Sequence, residues 1–332
     1  YQQLTLFALP IIINSIPIVI LGIGDLKLNW ITPNFIREFL GWRLTGEGMP
    51  VGRMASVFPY ANPLALYLLI ALIFTVGLLA QTWNLRKNYY FKILLFLALI
   101  LNGIGLILTS SRNGWVIAII AIIAFSIYLS WYFILFLVGG FVAVISWASF
   151  GNLPAQSQLR RVLPAFLWLR LSDEMYSART AETLRVTQWG FSLNMIKDKP
   201  FLGWGLRSFS SLYEAKYNIY LGHPHNFFLM VGAETGLISL LLFSGVIGYI
   251  FFNGCIKMIN IAKNKSDQII LFTYLTAFGA YIIYNLFDVS LFDIRLNILV
   301  WIILAAISGV SKNKENRLSR QESSSTQEIN FS

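Results

Sequence analysis

The chain has 332 residues, of which 57% are apolar and only 12% charged, with a mean hydropathy of +0.66. That balance excludes a water-soluble globular enzyme and puts the chain in lipid. The formal net charge of +10 does not point to nucleic acid, because the basic residues lie in loops between apolar runs; membrane lipids and phosphates are the expected partners.

Apolar runs long enough for a span, about 20 residues, recur along the chain. The first covers 4–24. The sequence begins at Tyr1 with no signal-peptide pattern ahead of that run, so the chain is expected to be the C-terminal part of a longer protein. A mixed-charge loop from Asp25 to Ser56 leads to spans at 57–80, 91–109, 113–130 and 132–150. A long loop, 151–225, precedes spans at 226–253, 268–288 and 291–310. Cys255, the lone cysteine, lies in an apolar run beside Lys257 and can form neither an internal disulfide nor a metal cluster. The tail, 311–332, is polar and expected to be disordered. The predicted fold class is an all-α integral membrane protein, with one polytopic domain over 1–310 containing about eight transmembrane helices.

The short connections set the expected orientation. Arg86 and Lys87 precede the third span with Lys92 at its very start, and Lys257, Lys263 and Lys265 lie between the sixth and seventh. By the positive-inside rule these are cytoplasmic, and parity puts the C-terminus, with Lys312, Lys314, Arg317 and Arg320, on the same side. The loop 151–225 then falls outside despite nine Lys or Arg against five Asp or Glu, since loops above about 60 residues escape the rule. Within it, Leu184, Trp189, Leu193 and Ile196 recur at helical spacing, predicting an amphipathic helix over Thr180–Asp198 along the outer interface, stopped by Pro200.

Three constellations in these outer segments can carry chemistry. Ser110-Ser111-Arg112 opens the fourth span as an N-cap, giving Arg112 either a phosphate site at a helix N-terminus or a snorkelling position among head groups. Arg179 and Arg185, the latter one helical turn before Trp189, suit a pyrophosphate clamp or an interfacial anchor. His223-Pro224-His225-Asn226 holds both histidines of the chain where the polar loop meets the membrane. One histidine there can act as general base with Asn226 orienting it; structural bonding, proton sensing and metal ligation compete. Metal is the weakest, because Glu214 and Glu234 are at no ligand spacing. Glu234, about two turns into the sixth span, is expected to face the bundle and neutralise an arginine, unless the segment 224–235 is re-entrant or lies flat. There is no P-loop, dinucleotide glycine fingerprint or nucleophile elbow, so an enzyme here would take a lipid-borne phosphate substrate.

These residues resemble the O-antigen ligase and polymerase superfamily. Ser110-Ser111-Arg112-Asn113-Gly114-Trp115 resembles its Ser-Arg-Gly element, with Asn113 where glycine is usual. Arg185-x-x-x-Trp189, followed by Met195 to Gly205, resembles its loop signature. His225-Asn226-Phe227-Phe228-Leu229 running to Glu234-Thr235-Gly236-Leu237 resembles its ending, and Arg53 with Asn62-Pro63-Leu64-Ala65 resembles the stretch before an early span. The resemblance covers about residues 50 to 310. It implies a GT-C-like helical membrane glycosyltransferase in the bacterial inner membrane, with its N-terminal spans absent here and its active site facing the periplasm. Such an enzyme moves a glycan from undecaprenyl pyrophosphate to a hydroxyl of lipid A core, a growing glycan or a protein, without metal or cofactor. Arg112 and Arg185 would hold the pyrophosphate and His225 would be the base, with Arg53, Arg179, Trp189, His223, Asn226 and Glu234 in support. A polymerase of the same superfamily is the alternative within this class. One branch is labelled a bicarbonate transporter, and an anion carrier could use the same charges, although a carrier would place them at the bilayer midplane rather than at one face. A lipid-binding scaffold would bind the donor without turnover.

Overall fold

The computed structural model describes residues 1–83, 89–152, 154–172, 174, 180–260 and 264–312. The expected disordered tail beyond 312, Arg179, and the basic residues Arg86, Lys87 and Lys263 lie outside the described residues.

The chain is an all-α integral membrane protein. In order the helices are α1 (Gln2–Lys27), α2 (Asn34–Leu40), α3 (Ala61–Thr82), α4 (Tyr89–Leu108), α5 (Arg112–Tyr128), α6 (Tyr132–Phe150), α7 (Ala155–Val162), α8 (Ala165–Leu171), α9 (Arg185–Asp198), α10 (Ser208–Tyr217), α11 (Phe227–Asn260), α12 (Lys265–Asn285) and α13 (Ile294–Lys312). Among the described residues there is no strand, only an isolated bridge between Ile31 and Thr45. Six helices, α1, α3, α4, α6, α11 and α12, are long and apolar enough to cross a membrane; α5 and α13 carry shorter apolar stretches, Arg112–Tyr128 and Ile294–Val310.

Helix α3 is the axis of the bundle. It packs against α1, α4, α5 and α12, and residues on every side of it are buried, from Leu64 to Leu79. A helix buried all round needs no amphipathic stripe, which is why its sequence is apolar throughout. Pro63 sits in its first turn, where the missing N–H costs nothing. Helices α4 and α6 instead leave Ile100, Ile104, Phe136 and Phe141 exposed, the residues a lipid phase would cover.

The long loop is more ordered than the single predicted amphipathic helix. That helix appears as a turn of 3-10 helix at Ala181–Thr183 followed by α9, and α7, α8 and α10 are added. These three run only seven to ten residues, too short for a hydrophobic period to declare itself. Helices α7 and α8 pack on α6, whereas α10 joins α9 and the start of α11 in a small core of their own, in which Phe191 meets Phe209, Tyr213 and Tyr217 at ring distances of 5.8, 5.0 and 6.0 Å.

Helix α11 is broken at Gly236, whose φ of 83° and ψ of 168° are open almost only to glycine. The Leu237 N–H turns away to donate to the Pro200 carbonyl at 2.7 Å, and a Cβ on Gly236 would overlap the Phe201 carbonyl. Gly236→Ala is expected to destabilise the fold by about 1–3 kcal/mol, read as a lowered melting temperature in detergent; an unchanged melting temperature would mean the junction relaxes freely.

Candidate active site

Five stretches distant in sequence, 50–53, 59–63, 207, 220–225 and 284–293, converge around the loops that precede α3, α10, α11 and α13. They enclose a cleft of about 540 Å³ whose walls include Arg53, Asn62, Arg207, Tyr220, His223, His225, Tyr284, Asp288 and Phe292. Its centre is a chain of hydrogen bonds. His225 Nδ1 lies 3.2 Å from Asp288 Oδ1, Asn62 Nδ2 donates to Asp288 Oδ2 at 2.6 Å, and Arg53 Nη2 donates to Asn62 Oδ1 at 2.7 Å. Arg53 Nε donates to the Thr109 carbonyl at 2.9 Å, and the Tyr284 hydroxyl donates to the Asn62 carbonyl at 2.8 Å. The loop between α2 and α3, the start of α3, the end of α4 and the end of α12 are thereby tied to one imidazole.

Local sequence explains why His225 is fixed. It adopts a left-handed backbone, φ 52°, uncommon for a residue with a side chain and costly unless its surroundings enforce it. Four hydrogen bonds do so. The His225 N–H donates to His223 Nδ1 at 3.2 Å, and Trp189 Nε1 donates to the Pro224 carbonyl at 3.1 Å. Asn226 Oδ1 accepts from the Leu229 N–H at 3.0 Å, capping α11, while its Nδ2 donates to the Leu286 carbonyl at 2.9 Å. Asn226 therefore orients the chain around the histidine rather than the imidazole itself.

The electrostatics separate the two histidines. Burial lowers His223 to about 4, with His225, Arg185 and Arg207 adding to the effect and Asp288 opposing it, so His223 is neutral at physiological pH and serves as acceptor for the His225 N–H. For Asp288, burial alone would raise the pKa, but its bond to His225, the two histidines and the Val289 N–H outweigh that and hold it below the ordinary carboxylate value. Burial pulls the Arg53 guanidinium down, against Tyr284 and Asp288 and with Arg112. An ionised carboxylate on Nδ1 fixes the tautomer in which Nε2 is the free acceptor.

The arginines are arranged differently from expectation. Arg53 and Arg207 line the cleft itself. Arg112 and Arg185 stand close enough for their charges to act on Arg53 and on His223 respectively. Arg112 opens α5 behind the Ser111 cap, whose hydroxyl accepts from the Gly114 N–H at 3.4 Å, and Nη1 donates to the Arg170 carbonyl at 3.3 Å. Arg170, buried, donates from Nε to the Ser110 carbonyl at 3.0 Å. Asn113, in the position of the usual glycine, is helical and needs no unusual backbone angle; its Nδ2 donates to the Tyr284 carbonyl at 3.0 Å and so joins α5 to the end of α12. Arg185 is the first residue of α9, one turn from Trp189, whose ring lies 6.1 Å from Phe287.

Glu234 does not neutralise an arginine side chain in the way expected. Its carboxylate accepts the backbone N–H groups of Arg207 at 2.9 Å and Phe209 at 3.3 Å, so its partner is the N-terminus of α10. Asp288 and Asn62 are the residues that sequence reasoning missed as site members. Asp288 also revises the metal reading, since His223, His225 and Asp288 offer three ligand atoms within 4.8 Å of one another. Two imidazoles and a carboxylate suit a divalent ion, whereas the positive field of Arg185 and Arg207 at His223 opposes one.

Residues 94–244 match the family model described as O-antigen ligase. The matched segment contains Arg112, Arg185, Trp189, His223, His225, Asn226 and Glu234, while Arg53, Asn62 and Asp288 lie outside it. No curated protein matches the chain.

Proposed function

We propose, for a chain whose residues 94–244 make it a member of the O-antigen ligase and polymerase superfamily, that it transfers a glycan from a polyprenyl pyrophosphate, undecaprenyl in a bacterial inner membrane, to an acceptor hydroxyl on the periplasmic face. The observation that carries the proposal is the His225–Asp288 pair at the centre of a cleft that Arg112 and Arg185 reach through their charge. Family membership supports a membrane glycosyltransferase-type activity; donor, acceptor and residue roles are this reading's own.

The chemistry follows from charge. The acceptor oxygen forms a bond to the anomeric carbon as the bond from that carbon to the pyrophosphate oxygen breaks. The acceptor proton passes to His225 Nε2, and Asp288 stabilises the imidazolium. Negative charge grows on the departing pyrophosphate, so Arg112 and Arg185, with the N-terminus of α5, stabilise the transition state more than the bound donor. The polyprenyl pyrophosphate leaves with both its phosphates. No step requires a metal, and a chelator is expected to leave the transfer rate unchanged. Loss of rate on chelation, with recovery on adding zinc, would reassign His223, His225 and Asp288 as ligands.

The acceptor decides between ligase and polymerase. The test is to supply purified protein with one glycan-bearing polyprenyl pyrophosphate and, separately, lipid A core, a second lipid-linked glycan and a serine peptide, and to identify the new conjugate by mass. Product with lipid A core supports the ligase reading. Product only with the second lipid-linked glycan makes it a polymerase, and product with none of them contradicts the proposal.

A further inference from the structure

The mechanism above leaves one group in the cleft unused. Arg53 is committed to Thr109 and Asn62, and Arg295, near the cleft, to Asp293 and the Val57 carbonyl. Arg207 is different. Its backbone is locked, with φ 66° and its N–H held by Glu234 at 2.9 Å, yet its side chain is exposed in the cleft wall. The guanidinium carbon rests 4.8 Å from the centre of the Phe292 ring, and among the described residues no carboxylate lies within ion-pair distance of it. Two large rings in the same cleft are also open: Tyr220 is 64% and Phe292 48% exposed.

An arginine steadied on an aromatic face keeps its fork of N–H donors free for a bidentate anion. Exposed rings beside it offer flat apolar faces to the C–H surface of a sugar, and such rings are poor tenants of a water-facing wall unless something covers them. Acid groups in the cleft do not compete for Arg207, since Asp288 is bonded to His225 and Asn62, and Asp293 to Arg295. We infer that Arg207, Tyr220 and Phe292 form a subsite for an acidic sugar, a carboxylate- or phosphate-bearing unit of the glycan, and that Arg207 selects acidic over neutral glycans. The inference rests on the glycan-transfer reading and adds its substrate class.

The test pairs a glucuronate-containing glycan with the same glycan after reduction of the carboxyl group. As polyprenyl pyrophosphate donors, Arg207→Ala is expected to lose about 10- to 100-fold in kcat/KM on the acidic member, the value of one charged bidentate contact, and to stay within a few-fold of wild type on the reduced one. Equal loss on both would make Arg207 a support for Phe292 and His223 or a pyrophosphate ligand, and no loss on either would leave it without a substrate role; each overturns the inference. Calorimetric binding of the free oligosaccharides, which needs no turnover, keeps this separate from the transfer proposal. Tighter binding of the acidic form, lost in Arg207→Ala, supports the subsite even if no acceptor is glycosylated. Equal binding of both forms by the wild type refutes it.

Discussion

Alanine at His225 is expected to lower glycan transfer by roughly 10² to 10⁴, while donor lipid binds within a few-fold of wild type. The asymmetry follows from the site. The donor's pyrophosphate is assigned to Arg112 and Arg185, which act on the cleft through their charge, whereas the imidazole is needed only when the acceptor proton leaves. Transfer rate and donor affinity, measured on the same membranes, check this. Parallel loss of both would make His225 a binding residue, and full activity without it would remove the general base from the mechanism.

Asp288→Asn is expected to cost about 10² to 10³ in transfer, chiefly in kcat. The amide keeps the shape but loses the charge that fixes the Nδ1–H tautomer, now bonded at 3.2 Å, and Asn62 would then face a second amide instead of a carboxylate. The same change has a signature in stability. The folded-state pKa of Asp288 is lowered, so its contribution is present above the unfolded carboxylate value and is lost as pH falls through the folded value. The wild type should therefore lose melting temperature on acidification more steeply than Asp288→Asn. Equal slopes would mean that the carboxylate is not stabilised by His225.

Much of this was legible from residue order. The apolar runs foresaw the long helices within a few residues at most ends, because about 20 apolar residues in a row have few other uses, and the Ser111 cap was readable from its side chain alone. His223-Pro224-His225-Asn226 stood out because it holds both histidines of the chain. The Asp288 partnership did not, since the acid is 63 residues from His225 and only the packing of α11 on α12 joins them. A signal was available: the predicted span 268–288 ends on that acid, on the same expected face as the histidines. Asn62 lies inside the Asn62-Pro63-Leu64-Ala65 motif, but a motif does not say what an amide bonds to. For Glu234 the residue order left the partner open between an arginine and none, and the fold gives it the backbone N–H groups at the start of α10, just before the break in α11 at Gly236.

The most direct test of the account is stoichiometry in proteoliposomes holding only this chain, a glycan-bearing polyprenyl pyrophosphate and an accepted hydroxyl. One free polyprenyl pyrophosphate should appear for each new glycosidic bond, and both should vanish together in His225→Ala. Vesicles that accumulate bicarbonate while the donor lipid stays intact would contradict it and make the cleft the anion site of a transporter.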